Sequence, residues 1–247
     1  MRRFLIVSAA LAVLAVPAAA QDYSGMIDSS FQNMASFAGT TAVNAAIGES
    51  AAYAAGASRA ATPTPAGDAH ILARLDFTAS PAVTRRNNDR MAQALSQGAS
   101  GMDPAAVRQV LDSGALQAEF ARLLGGAGFS PTNLADVLTG YLVISWEVVS
   151  GEDSRAHAAG YAVLRDRLRA SLASSAAIAT MTDADKQQTA ETLEVLAMLA
   201  AVANNGIRQG GNTAQLPQLR DGVWRTAQTF GVDLRQIAFT DQGFVPR

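Results

Sequence analysis

The 247-residue chain has no cysteine. That excludes disulfides, iron–sulfur clusters, thiolate zinc sites and cysteine catalysis. It also excludes a lipoprotein anchor, which needs a cysteine just after the cleavage point. Lysine is almost missing too: Lys186 stands alone against 18 arginines. Beside the heavy use of alanine, this skew reads as genome base composition before arginine-driven recognition. The formal net charge is −2, without the concentrated basic face that phosphates demand, so no nucleic-acid partner is expected. Histidine occurs only at positions 70 and 157, with no H-E-x-x-H pair and no G-x-S-x-G elbow. A Ser-His-Asp triad would have to use one of these two, and a metal would need further ligands from elsewhere. Neither metal nor cofactor is expected. Alternating strand-type runs are scarce.

What is present begins with an address. Arg2 and Arg3 form a basic start, Phe4 to Val16 an apolar run broken only by Ser8, and Pro17-Ala18-Ala19-Ala20 a small-residue cleavage site. This is the layout of a bacterial secretory signal, too short and wrongly flanked for a membrane span. The arginine pair invites a twin-arginine reading, but its surroundings suit ordinary Sec-type export better. Cleavage after Ala20 is expected, leaving a mature chain that begins at Gln21. Loss of Arg2 and Arg3 takes the net charge from −2 to −4. The expected location is the periplasm or the exterior, with no membrane span in the mature chain. Three segments follow: a signal peptide over 1–20, an arm with a linker over 21–66, and a helical domain over 67–247.

The arm is rich in Ala, Ser, Gly, Thr and Asn and closes at the stiff run Thr62-Pro63-Thr64-Pro65. Ile27, Phe31 and Met34 fall at helical spacing, with Phe37 beside them, and make one weakly apolar stripe. The plainer reading is an arm that folds back on the domain. The sharper one makes these four residues a docking helix for a partner. Membrane-surface binding is disfavoured because interfacial helices carry Lys or Arg on the polar face.

Beyond residue 77 the punctuation is helical. Ser80-Pro81, Asp103-Pro104 and Ser130-Pro131 each put an N-cap side chain before a first-turn proline. Thr182 followed by Asp183 and Asp185 is a fourth start. Gly114, Gly125-Gly126, Gly151, Gly206 and Gly231 read as stops. The spacing predicts helices near 81–97, 104–113, 115–124, 131–149, 154–179, 183–205 and 214–230. Ile71–Phe77 and Ile237–Val245 could at most form a small two-stranded element. The fold class expected is all-α, a single multi-helix bundle behind an Ala/Ser/Gly-rich arm. Leu134 to Val149 is the most apolar mature stretch, interrupted by Asp136, Ser145 and Glu147, and reads as the buried central helix. Leu193 to Val202 reads as a second inner helix. Leu216, Leu219, Val223, Ala227 and Phe230 form the stripe of an amphipathic outer one.

Candidate chemistry centres on that central helix. Asp136, Gly140, Val143 and Glu147 share one narrow face at 100° per residue. One reading has Asp136 and Glu147 lining a cleft, one of them with its pKa raised by burial so that it acts as a general acid. The plainer readings are pairing with Arg165, Arg167 or Arg169, or a solvent face. Three turns separate the two acids, about 16 Å of rise, too far to flank one scissile bond without an acid from elsewhere. His157 shares a face with Tyr161, Leu164 and Leu168 and reads first as a core histidine, with Asp153 placed to orient it. The Gly-rich loop at 125–128 could hold an anion at the next helix start. It lacks a preceding strand and a following Gly-Lys-Ser/Thr, so helix termination is the better reading. Arg165-Asp166-Arg167-Leu168-Arg169 reads as a solvated charged face, or else as a contact for an anion or an acidic partner.

Phe77-Thr78-Ala79-Ser80-Pro81-Ala82-Val83, Asn133-Leu134-Ala135-Asp136 and Trp146-Glu147-Val148-Val149-Ser150-Gly151 together resemble an uncharacterised family of exported bacterial helical proteins, a domain of unknown function. The resemblance spans roughly residues 75–245 and implies the fold without an activity. Two functions of different class remain. The first is a non-enzymatic envelope protein that binds another protein, a second copy of itself or an envelope component. The alternative is a small periplasmic hydrolase or lyase using Glu147 or Asp136, with His157 assisting.

Overall fold

The computed structural model describes residues 75–98 and 104–247. The signal peptide, the arm with Ile27, Phe31, Met34 and Phe37, the linker and His70 lie outside the described residues. Within them the chain is all-α with one small hairpin. Its helices are α1 (Pro81–Gly98), α2 (Pro104–Asp112), α3 (Ala115–Gly126), α4 (Leu134–Ser150), α5 (Ala158–Ser174), the single turn α6 (Ala176–Ala179), α7 (Asp183–Gln209) and α8 (Leu216–Thr229). Strands β1 (Ile237–Thr240) and β2 (Gly243–Pro246) pair antiparallel, with Ile237 opposite Pro246 and Thr240 opposite Gly243.

Helix α4 is the axis of the bundle. Thirteen of its 17 residues are buried, because its sequence is apolar around most of the circumference. Leu134, Leu138 and Leu142 are at most 1% exposed, and burial of each contributes ~1.5–3 kcal/mol. Its longest partner is α7, whose Ala190, Ala197 and Ala200 are fully covered and let the two backbones approach closely. Around this pair stand α1, α3, α5 and α8. The expected stripe of α8 holds: Leu219, Val223, Ala227 and Phe230 are buried and Leu216 packs at the edge. Trp146 of α4 donates from Nε1 to the Ile237 carbonyl at 3.2 Å and packs against Phe239 and Phe244, which docks the hairpin onto the axis.

Four boundaries differ from expectation. Helix α4 starts at Leu134, not after Ser130-Pro131. The Ser130 hydroxyl instead accepts the Thr132 N–H, and Asn133 Oδ1 caps the helix by accepting the Ala135 and Asp136 N–H groups at 3.1 and 3.2 Å. The single helix expected over 154–179 is broken. Ser154–His157 is a 3₁₀ turn, and an extended Ser175 (φ −76°, ψ 125°) separates α5 from α6. Helix α7 runs through Gly206 to Gln209, since Ile207 remains buried and the exposed glycine adds only a propensity cost. The hairpin forms wholly within 237–246. Of the segment before α1, Asp76 makes one isolated bridge, to Asn133.

Other starts and stops follow local chemistry, although α3 runs through Gly125 and Gly126 and is capped at Ala127. Thr182 and Asp185 form a reciprocal capping box at the start of α7. Gly151 ends α4 at φ 78°, a left-handed conformation that favours glycine, with its N–H on the Glu147 carbonyl.

Candidate functional site

The narrow face of α4 does hold Asp136, Gly140 and Glu147, and each meets a neighbouring element. Asp136 lies in the first turn and is 2% exposed. Its Oδ2 accepts the Ser130 N–H at 2.9 Å and its Oδ1 accepts Arg169 Nη2 at 2.9 Å. The pairing reading therefore prevails, with Arg169 as the arginine chosen. Gly140 fills no polar role: a Cβ there would stand 2.8 Å from both Leu124 Cδ2 and Phe120 Cζ, so its missing side chain admits α3.

Glu147 sits at the other end. Its Oε1 accepts the Ser154 N–H at 3.0 Å and the Ser154 hydroxyl through a very short contact. The same hydroxyl meets Tyr161 OH, so a Glu147–Ser154–Tyr161 chain ties the end of α4 to the start of α5. Burial pushes the Tyr161 phenol up, the Ser154 hydrogen bond lowers it, and the nearby Glu147 and Asp153 charges raise it further. A serine beside a carboxylate resembles half of a nucleophilic site. Ser154 is however only 1% exposed, and among the described residues its hydroxyl meets Glu147 and Tyr161 and no histidine.

His157 is not a core residue. It ends the 3₁₀ turn at φ −125°, its side chain is 40% exposed, and its nearest acid is Asp241 of the hairpin turn, 3.7 Å from Nδ1. Asp153, expected to orient the ring, instead caps the 3₁₀ turn and pairs with Arg155, whose guanidinium holds its carboxyl below the ordinary value. The hairpin turn draws the imidazole away because Gly160, one turn further, packs directly against the Thr240 carbonyl. Nor is the run at 165–169 one solvated face. Arg169 turns inward, Arg167 donates to the Phe244 carbonyl at 3.1 Å, and Arg165 stacks over Phe129 at 5.0 Å.

A second polar group escaped the sequence reading. Thr84 and Asn87 of α1 face Gln187 and Glu191 of α7. Glu191 accepts three hydrogen bonds, from Thr84 Oγ1 at 2.6 Å, Gln187 Nε2 at 2.8 Å and Asn87 Nδ2 at 3.0 Å. All three are donors, so both oxygens of this carboxyl are used within the bundle. Glu194, one turn on, is 5% exposed; burial first and the Glu191 charge second push its pKa up to about 8. Burial thus favours the neutral form of Glu194 inside the bundle. Two signals could have found it: the i, i+4, i+7 spacing of Gln187, Glu191 and Glu194, and a glutamate inside the apolar run LEVLAMLAAV.

Among the described residues no group of three or more His, Asp or Glu side chains is placed to hold a metal, and no helix is long and apolar enough to cross a membrane. Over residues 1–247 the chain matches the model of the Family of unknown function (DUF6683), and it belongs to that family. No curated protein and no solved structure matches it.

Proposed function

We propose that this member of a family of unknown function is a non-enzymatic exported module, a helical bundle that binds a protein or another component of the cell envelope. One observation carries the reading. Each acid nominated for chemistry is engaged by the fold: Asp136 through both oxygens, by Arg169 and the Ser130 N–H, and Glu147 through Oε1, by both donors of Ser154. A general acid or base must reach the proton it moves. The hydrolase or lyase alternative asks Glu147 or Asp136 to do so beside His157, which stands instead by Asp241.

The export half of the proposal rests on the signal pattern of residues 1–20, with cleavage after Ala20 and release into the periplasm or beyond. The binding half gives the apolar stripe Ile27, Phe31, Met34 and Phe37 the role of partner contact. The test is the native mass of the mature protein recovered from its own envelope after gentle crosslinking. A reproducible partner, lost on deletion of 21–66, supports the module. A clean monomer from both forms sinks it.

A further inference from the structure

Most arginines of the bundle have an acceptor, as Arg108 has in Asp89 and Arg235 in Asp221. Arg220, on α8, has none among the described residues, and unlike Arg85 and Arg86 of α1 it is not exposed. It is half-buried, its Nε is closed off from water, and among the described residues nothing hydrogen-bonds or ion-pairs with its guanidinium. A guanidinium taken partly out of water without an acceptor costs free energy that packing alone does not return.

Arg220 does not stand alone. Arg208, near the end of α7, has a single side-chain hydrogen bond, from Nε to Asn204 Oδ1 on its own helix at 3.3 Å. Its outer nitrogens are uncommitted. Both guanidiniums converge on Gly151: a Cβ built there would lie 2.5 Å from Arg220 Nη2 and 3.6 Å from Arg208 Nη2. The glycine thus meets two demands, the left-handed turn that ends α4 and the room for two cations. The adjacent carboxylate, Glu152, is engaged by Arg247. The last carbonyls of α4 supply roughly half a negative charge, well short of two full cations.

We propose that Arg208 and Arg220 form a clamp for one oxyanion group, a phosphate or a carboxylate, at the α4–α8 end of the bundle. Guanidiniums suit this task because their planar forks present paired donors to anionic oxygens. Two N–H···O bonds of about 2.9 Å and the width of one oxyanion span the gap between forks that share a single point. If the arginines merely complemented the α4 dipole, the terminal carbonyls would accept from Arg220, and among the described residues none does. The clamp deepens the binding-module reading by giving the ligand its charge, but it is tested without any partner.

The test follows the arginine Nε–Hε resonances of the mature full chain during titration with inorganic phosphate and, separately, acetate, at ionic strength fixed with chloride. A saturable shift of the Arg220 signal is expected, weakened at least tenfold in Arg208→Gln and unaltered in Arg85→Gln, an exposed arginine of α1. Phosphate should also raise the wild-type melting temperature and leave that of Arg220→Gln unchanged. If that variant does not fold, Arg220→Lys keeps the charge without the fork and should bind weakly. Response to phosphate alone names a phosphate-bearing ligand; response to acetate names an acidic peptide or polymer. No saturable shift with either anion, or equal stabilisation of wild type and Arg220→Gln, overturns the clamp. A shift without any crosslinked partner would leave the clamp standing and remove the module, and the reverse result would do the opposite.

Discussion

Replacing Glu194 with glutamine removes the proton that burial holds on this side chain while preserving its shape. In the unfolded chain a glutamate titrates near 4.5, whereas in the bundle this one titrates at about 8. Between those values the folded state binds a proton that the unfolded state does not. The stabilisation linked to that proton is therefore complete below pH 4.5 and is lost progressively as pH rises toward 8. The slope is about 1.4 kcal/mol per pH unit. With the Glu191 charge beside it and some relaxation of α1, the wild type should lose on the order of 2–4 kcal/mol between pH 5 and pH 8 through this group. Glu194→Gln has no such proton to release. Its stability should match the wild type near pH 5 and exceed it by that margin at pH 8. Urea unfolding followed by circular dichroism at four pH values measures both curves. Parallel curves would refute the reasoning, since they would mean that Glu194 is ionised or solvated in the folded state.

Three further outcomes are expected. Arg169→Met strands the Asp136 carboxylate, 2% exposed, with only the Ser130 N–H, and should cost about 3 kcal/mol in urea unfolding at neutral pH. Adding Asp136→Asn should recover most of that loss; a single-variant cost below ~1 kcal/mol would show the pair to be incidental. Glu147→Gln weakens both Ser154 contacts and should lower stability by about 1–2 kcal/mol, whereas unchanged stability would return Glu147 to the list of free acids. Gly160→Ala drives a methyl into the Thr240 carbonyl and to 3.0 Å from Phe239 Cζ, so the hairpin must shift. A stability loss of about 1–3 kcal/mol with altered Trp146 fluorescence is expected, because Phe239 packs on that indole. An unperturbed spectrum would mean that the hairpin is not held where α5 meets it.

The helices were legible because their signals are local. A cap, a first-turn proline or a left-handed glycine acts within one turn, so Thr182, Asp185 and Gly151 announced their roles from sequence alone. The apolar run of α4 likewise declared a buried axis, because no solvated helix tolerates that circumference. The Ser130-Pro131 start was misplaced because a cap signal does not reveal which of several nearby polar side chains the helix uses. Ser130 was drawn to Thr132 and Asp136, and Asn133 took the cap.

Partners were a tertiary decision. Asp136 had three arginines within reach in sequence, and only the seating of α5 against α4 brought Arg169 to it across 33 residues. Thr84 reaches Glu191 across 107 residues, a separation over which no periodicity carries information. The same holds for Gly140, Gly160 and Gly151, whose empty side-chain positions matter through the Phe120, Thr240 and arginine groups that crowd them. From sequence alone came the all-helical class, the missing thiol chemistry and the expectation of export, because each depends on composition or on contacts a few residues long. Which acids are bound, which is neutral and where two arginines converge without a carboxylate depended on how distant helices pack, since burial and charge pairing exist only once those surfaces meet.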